Sequence, residues 1–260
     1  MIKLGSIFVG VYCATLPFGC QAFDANKLTS DAATDAPLSD ATDDANQQTD
    51  VSSPPGCARE FVVDVIDDFE DNAADPFWSV YEATTDMIAE TDGMLEIQLQ
   101  ASAASLTYAG YISSTGYPLS NSSAYVEVIR MGGTTTSAQT YFNLTSAGNI
   151  GVSLVQAGSQ LRFRKINGSL QEVVSSTSYS GSTHRFWRIR ESAGTVYTET
   201  SPDAALWTEL GSVDTSEAFL NGITDIRIEM GAGTYQSVID PGIAQFDNLN
   251  GGGGTPSDCQ

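Results

Sequence analysis

Histidine occurs once in the 260 residues, as His184, and cysteine four times. With one histidine and no cysteine expected to remain a free thiol, neither a serine nor a cysteine nucleophile has the partner that such chemistry needs. Cationic residues are scarce as well: 11 Lys and Arg stand against 32 Asp and Glu, a net charge of −21. That balance excludes a nucleic-acid-binding surface as the main business of the chain. Long apolar runs are missing. The one in MIKLGSIFVGVYCATLPFGC falls short of the roughly 20 residues that a membrane-spanning helix needs. Helical periodicity is missing too: no 3.6-residue repeat persists for three turns, and residues 214–221 offer at most one short helix.

The N-terminal stretch, with Lys3 ahead of its apolar run, has the make-up of an export signal. Gly19 before Cys20 resembles the end of a bacterial lipoprotein signal, although Pro17 and Phe18 stand where a leucine and a small residue are usual. The resemblance implies removal of residues 1–19 and a lipid on Cys20, which would hold the protein on the cell envelope; cleavage after Ala22 or Ala25 would release it instead. Residues 20–56 are rich in Asp, Thr, Ala and Ser and almost free of large apolar side chains. Such a segment cannot bury enough surface to offset its ordering entropy, so it reads as a disordered acidic tether with a reach of roughly 30 Å. Residues 57–260 form the folded domain, bracketed by Cys57 and Cys259. With Cys20 lipidated these two are the pair left in an oxidising compartment. A disulfide between them closes a loop of about 200 residues, worth at most roughly 5 kcal/mol in the chain-entropy model. The alternative is two free thiols.

Within the domain, segments 61–63, 94–99, 124–129 and 225–230 show period-two or continuous apolar character between Gly, Ser, Asn and Asp turns. More than ten such segments, regularly spaced, predict an all-β domain: a two-sheet antiparallel β-sandwich of the jelly-roll type.

The pieces Asp67-Asp68-Phe69-Glu70-Asp71 with Phe77-Trp78, Asp92-Gly93 before Leu95-Glu96-Ile97, and Arg188-Ile189-Arg190-Glu191 make that pattern more specific. Ser201-Pro202-Asp203 with Trp207 and the closing Ala244-Gln245-Phe246-Asp247-Asn248 complete it. Across about residues 66–250 the chain resembles the concanavalin A-like lectin/glucanase jelly rolls, including the DUF1349-like and LamG-like domains of bacterial exported proteins. One departure is Ala204, where such relatives usually carry glycine after the turn aspartate. The resemblance implies carbohydrate binding, and it implies a structural Ca²⁺ where the first and last strands meet, with Asp68, Glu70 and Asp247 supplying oxygens. Those acids facing water is the alternative. Ser201, Asp203 and Trp207 are also similar to an Asp-box hairpin, in which the aspartate accepts backbone N–H groups and holds a turn, a structural role.

Catalytic candidates fare poorly. Glu90, Asp92 and Glu96 are off by one residue from the paired carboxylates of glucanases, and Asp92-Gly93 reads as a turn that puts Glu90 and Glu96 on different strands. Of the 11 basic residues, Arg162, Arg164, Lys165, Arg185, Arg188 and Arg190 crowd into one stretch. Alternation sets Arg162 with Arg164, and Arg188 with Arg190, on faces opposite Phe163 and Trp187. If those strands neighbour each other, the four arginines make a shallow basic surface for a glycan or acidic polymer. Otherwise they pair with Glu127, Glu172, Asp225 and Glu229 on a solvated face. Trp78, Trp187 and Trp207 read as core. Tyr108, Tyr111 and Tyr117, in a Gly- and Ser-rich stretch, read as the exposed aromatics, with Tyr111 a candidate sugar contact. The expected function is non-catalytic binding of carbohydrate or a surface component by an exported protein. An adhesive or structural protein without a small ligand, and a polysaccharide-active enzyme, are the alternatives. No nucleic acid is expected as a partner, and a membrane only through the lipid anchor.

Overall fold

The computed structural model describes residues 59–83, 87–103, 106–133 and 135–251. Cys20, Cys57, Cys259 and the acidic tether lie outside the described residues. Fourteen strands, numbered in chain order, form two antiparallel sheets of seven. The first sheet runs, side by side, β1 (Trp78–Glu82), β4 (Thr107–Ser113), β13 (Arg227–Thr234), β6 (Ala138–Ser146), β7 (Ile150–Ala157), β8 (Gln160–Asn167) and β9 (Leu170–Ser178). The second runs β12 (Thr208–Asp214), β11 (Thr195–Ser201), β10 (Phe186–Ser192), β5 (Ser123–Arg130), β14 (Ile243–Asp247), β3 (Met94–Gln98) and β2 (Ile88–Thr91). A single helical turn, α1 (Thr215–Ala218), falls within the stretch expected to hold one. The jelly-roll sandwich is therefore the fold.

Alternation along each strand builds the core. Trp187 and Ile189 of β10 point between the sheets while Arg188 and Arg190 point away, and Phe142, Phe163, Phe246 and Leu95 join them, all sealed from solvent. The hairpins β7–β8 and β8–β9 each turn on two residues, with Ala157 facing Gln160 and Asn167 facing Leu170. Gly158 and Gly168 supply the positive φ, 62° and 61°, that such tight turns demand. Sequence-distant strands then interleave: β13 lies between β4 and β6, and β14 between β5 and β3. At the ends of the domain Asp67 and Leu249 exchange two backbone hydrogen bonds of 3.2 and 2.9 Å, bringing its opening and closing segments together.

Four sequence expectations are corrected. Residues 61–63 do not form a strand; Val62–Asp64 is one turn of 3-10 helix, because the Asp64 carboxylate accepts the Phe61 N–H at 2.8 Å and bends the chain. Tyr111, 3% exposed, and Tyr117 belong to the core. The Tyr111 ring packs 5.6 Å from Trp78 and its hydroxyl donates to Glu90 Oε1 at 3.0 Å, so it offers no exposed sugar contact. Trp187 and Trp78 are core as expected, but Trp207 is half-buried, lying under the Arg188 guanidinium at 4.0 Å and edge-on to Tyr125.

The Ser201–Asp203 turn is scaffold. Asp203 Oδ1 accepts from the N–H groups of Ala205 and Leu206 at 3.0 and 3.1 Å and from Ser201 Oγ at 3.0 Å, and these bonds hold its carboxyl below the usual range. Ala204, where the resemblance leads one to expect glycine, has φ 58°. A left-handed backbone costs an L-residue about 1–2 kcal/mol, of which glycine's extra entropy returns a part. Ala204→Gly should accordingly stabilise the domain by about 0.5–1 kcal/mol, raising Tm by roughly 1–4 °C. A lower Tm would contradict the strain at this turn.

Candidate functional site

The arginines separate. Arg162 and Arg164 lie on β8 of the first sheet, Arg188 and Arg190 on β10 of the second, so the four do not make one basic surface. On the second sheet the charge is compensated: Arg188 Nε donates to Glu199 Oε2 at 2.7 Å and Arg190 Nε to the same carboxylate at 3.0 Å. Arg190 also stacks on Tyr197 at 3.9 Å. Arg185 bonds Glu127, and Lys165 reaches Glu172 at 3.2 Å and Glu217 at 3.5 Å. Of the four acids expected as partners, Glu127 and Glu172 take cations. Glu199, directly across from Arg188, is the partner that the sequence reading missed. Asp225 and Glu229 form no ion pair among the described residues.

The outer face of the first sheet holds a cleft of about 190 Å³, lined among others by Tyr108, Tyr141, Asn143, Arg164, Gln171 and Glu229. Its floor depends on glycine. A Cβ at Gly231 would come within 2.5 Å of the Tyr81 and Tyr141 hydroxyls, one at Gly110 within 2.6 Å of the Tyr81 hydroxyl, and one at Gly233 within 2.2 Å of the Tyr108 ring. Bare backbone on β4 and β13 thus lets these side chains lie close against the sheet.

Glu229 of β13 is the centre of the hydrogen bonding. Tyr81 Oη donates to its Oε1 at 2.6 Å and Asn143 Nδ2 to its Oε2 at 2.8 Å. Tyr81 and Tyr141 hydroxyls meet at 2.6 Å, and Ser153 Oγ donates to Asn143 Oδ1. Burial raises the Glu229 carboxyl above its ordinary value against the pull of its two donors, and it pushes the Tyr81 and Tyr141 hydroxyls well above theirs. Arg164, 7% exposed, donates Nη1 to Gln171 Oε1 at 2.7 Å and has no carboxylate partner among the described residues. Sequence reasoning named Arg164 and Tyr108 but missed Tyr81, Tyr141 and Asn143, and assigned Glu229 to an ion pair. A usable signal was there in the alternating glycines of Met230-Gly231-Ala232-Gly233 beside the tyrosines of β4.

The glucanase-like acids do not converge. Glu90, opposite Leu95, points between the sheets, whereas Glu96 points outward and accepts Gln245 Nε2 at 2.9 Å. Asp68 and Glu70 do approach Asp247: burial first, then the charges of Glu127, Glu70 and Asp68, raise Asp247 to about 6. Among the described residues, however, no group of three or more His, Cys, Asp or Glu side chains is placed to hold a metal ion, the expected set of Asp68, Glu70 and Asp247 included.

Asp67 is raised to about 6 and Glu90 to about 7, mainly by burial. A carboxyl raised in the folded state binds its proton more tightly there than in the unfolded chain, so stability falls as pH rises from the ordinary carboxyl range through about 7. Asp203, lowered, acts only below that window. Tm at pH 5 should exceed that at pH 7.5 by roughly 2–4 °C, and Glu90→Gln should shrink the difference. A Tm that rises across the interval would contradict the raised carboxyls.

No protein-family model matches the sequence, and no curated protein matches it. Solved structures do match in fold. The carbohydrate recognition domain of Emp47p is 10% identical, over 70% of this chain and 91% of that one, with a TM-score of 0.50. The catalytic domain of an endo-1,3-beta-glucanase (laminarinase) from Thermotoga petrophila is 7% identical over 71% and 94%, TM-score 0.53. A laminarinase from Flavobacterium sp. UMI-01 is 8% identical over 71% and 96%, TM-score 0.52. The chain thus has the jelly-roll fold of concanavalin A-like lectins and glucanases.

Proposed function

We propose that the protein binds carbohydrate without cleaving it, through the cleft on the outer face of the first sheet. The observation that carries this reading is the convergence of Tyr108 and Tyr141 with the Glu229 carboxyl and the Asn143 amide, the carboxyl fixed from behind by Tyr81, a mixture of ring surface and fixed polar atoms suited to a sugar. The fold is shared with a carbohydrate recognition domain and with laminarinases. Against hydrolysis stands the lining itself: Glu229 is the one carboxylate among the cleft residues, whereas glycoside hydrolysis ordinarily uses two.

Titration of the purified protein against a glycan panel should find binding that Tyr108→Ala weakens about three- to tenfold, the scale of one aromatic contact. The Arg188→Ala/Arg190→Ala variant should bind as the wild type does. Dependence on Arg188 and Arg190 instead would move the site to the other sheet, and reducing-sugar release that requires Glu229 would make the protein an enzyme.

We further propose that the domain is displayed on the cell envelope by a lipid on Cys20, with Cys57 and Cys259 joined as a disulfide. Intact-mass measurement of the native protein should find a chain beginning at Cys20 with a lipid mass and no free thiol. A chain beginning after Ala22 or Ala25 without lipid would mean secretion.

A further inference from the structure

Arg164 is the anomaly of the molecule. A guanidinium taken out of water is ordinarily matched by a carboxylate, because an uncompensated buried charge is costly. Arg188 and Arg190, both partly buried, obey this with Glu199. Arg164 is 7% exposed, yet its one hydrogen bond among the described residues goes to the neutral amide of Gln171. Its other nitrogens are not sealed from solvent, and the side chain lines the cleft.

The surroundings add to this. A register shift between Phe163 and Arg164 in the pairing of β8 with β9 sets Arg164 opposite Val173, while on the other side it stays opposite Ser153 of the cleft. Arg162, opposite Val155, lies on the same face, forms no ion pair among the described residues, and repels Arg164. Glu229 lines the same cleft but is held by Tyr81 and Asn143, with no ion pair to Arg164. So among the described residues the cleft keeps a guanidinium that no carboxylate pairs, in a protein whose net charge is −21.

We propose that this cleft selects acidic glycans, with the Arg164 guanidinium receiving the paired oxygens of a uronate carboxylate or a sulfate ester and Arg162 adding charge beside it. Both groups present the oxygens that a guanidinium fork matches. The cleft volume, about 190 Å³, is that of about six waters, the scale of one pyranose ring. The proposal rests on the carbohydrate-binding reading above and names the class of sugar.

Isothermal titration of the full chain at physiological salt with three probes tests it: trigalacturonate, its carboxyl-reduced neutral counterpart, and a sulfated galactan oligosaccharide. At least one acidic probe should bind about tenfold or more tightly than the neutral one, the worth of a charged hydrogen bond, and the preferred probe tells carboxylate from sulfate. Arg164→Gln should bring that ratio close to one. Gln171→Ala, at an exposed residue that anchors the guanidinium, should reduce the ratio several-fold and decides the matter should Arg164→Gln fail to fold. Equal binding of all three probes, or a ratio untouched by both variants, would overturn the acidic preference and leave carbohydrate binding intact. Failure of every glycan to bind would overturn both.

Discussion

At three places beneath the tyrosines of the first sheet a side chain is impossible, and the open face of the molecule follows from that. Gly110, Gly231 and Gly233 sit where a Cβ would run into Tyr81, Tyr141 or Tyr108. Because the backbone there is bare, the phenol groups approach the sheet rather than standing up from it. The Tyr81 hydroxyl then reaches the Glu229 carboxyl on β13, which alternation alone would have left in water, and the Tyr141 hydroxyl meets that of Tyr81. The resulting chain, Tyr141 to Tyr81 to Glu229 to Asn143 to Ser153, ties together β6, β1, β13 and β7. Networks of this kind are rigid when fully satisfied, which suits a surface that must be preformed for a ligand.

The two outer faces solve the problem of arginine on a sheet in opposite ways. On the second sheet, Arg188 and Arg190 share the Glu199 carboxylate and lie on Trp207 and Tyr197, so their charge and their flat surfaces are both used internally. That arrangement stabilises the face and leaves little to offer a partner. On the first sheet, Arg164 is packed more deeply but is steadied only by an amide. Burial without compensation costs stability, and such costs concentrate at functional sites.

Local pattern made much of the fold legible. Alternation in 186–192 correctly separated Trp187 and Ile189 from the arginines, and the Ser201–Asp203 turn is the backbone-capping device that its residues imply. The positive φ of Ala204 is one that glycine, the residue the resemblance leads one to expect there, adopts without strain. What local pattern does not carry is which sheet a strand joins. Arg162 and Arg188 are 26 residues apart along the chain and belong to different sheets, because β9 closes one sheet and β10 enters the middle of the other. Tyr111 alternates in the same way as Tyr108 would, but its parity directs it inward against Trp78, where a Gly- and Ser-rich context gives no warning of burial. The site escaped for the same reason: Tyr81 reaches Glu229 across 148 residues of chain, a meeting set by the placement of β13 beside β4 and β6.

The central claim is that sugar is bound by the outer face of the first sheet. Amide chemical-shift mapping of the isotopically labelled protein during titration with trigalacturonate tests it most directly. The largest changes should fall at Tyr108, Gln139, Asn143, Arg164 and Gly231. Changes confined to Arg188, Arg190, Tyr197 and Trp207 would contradict it.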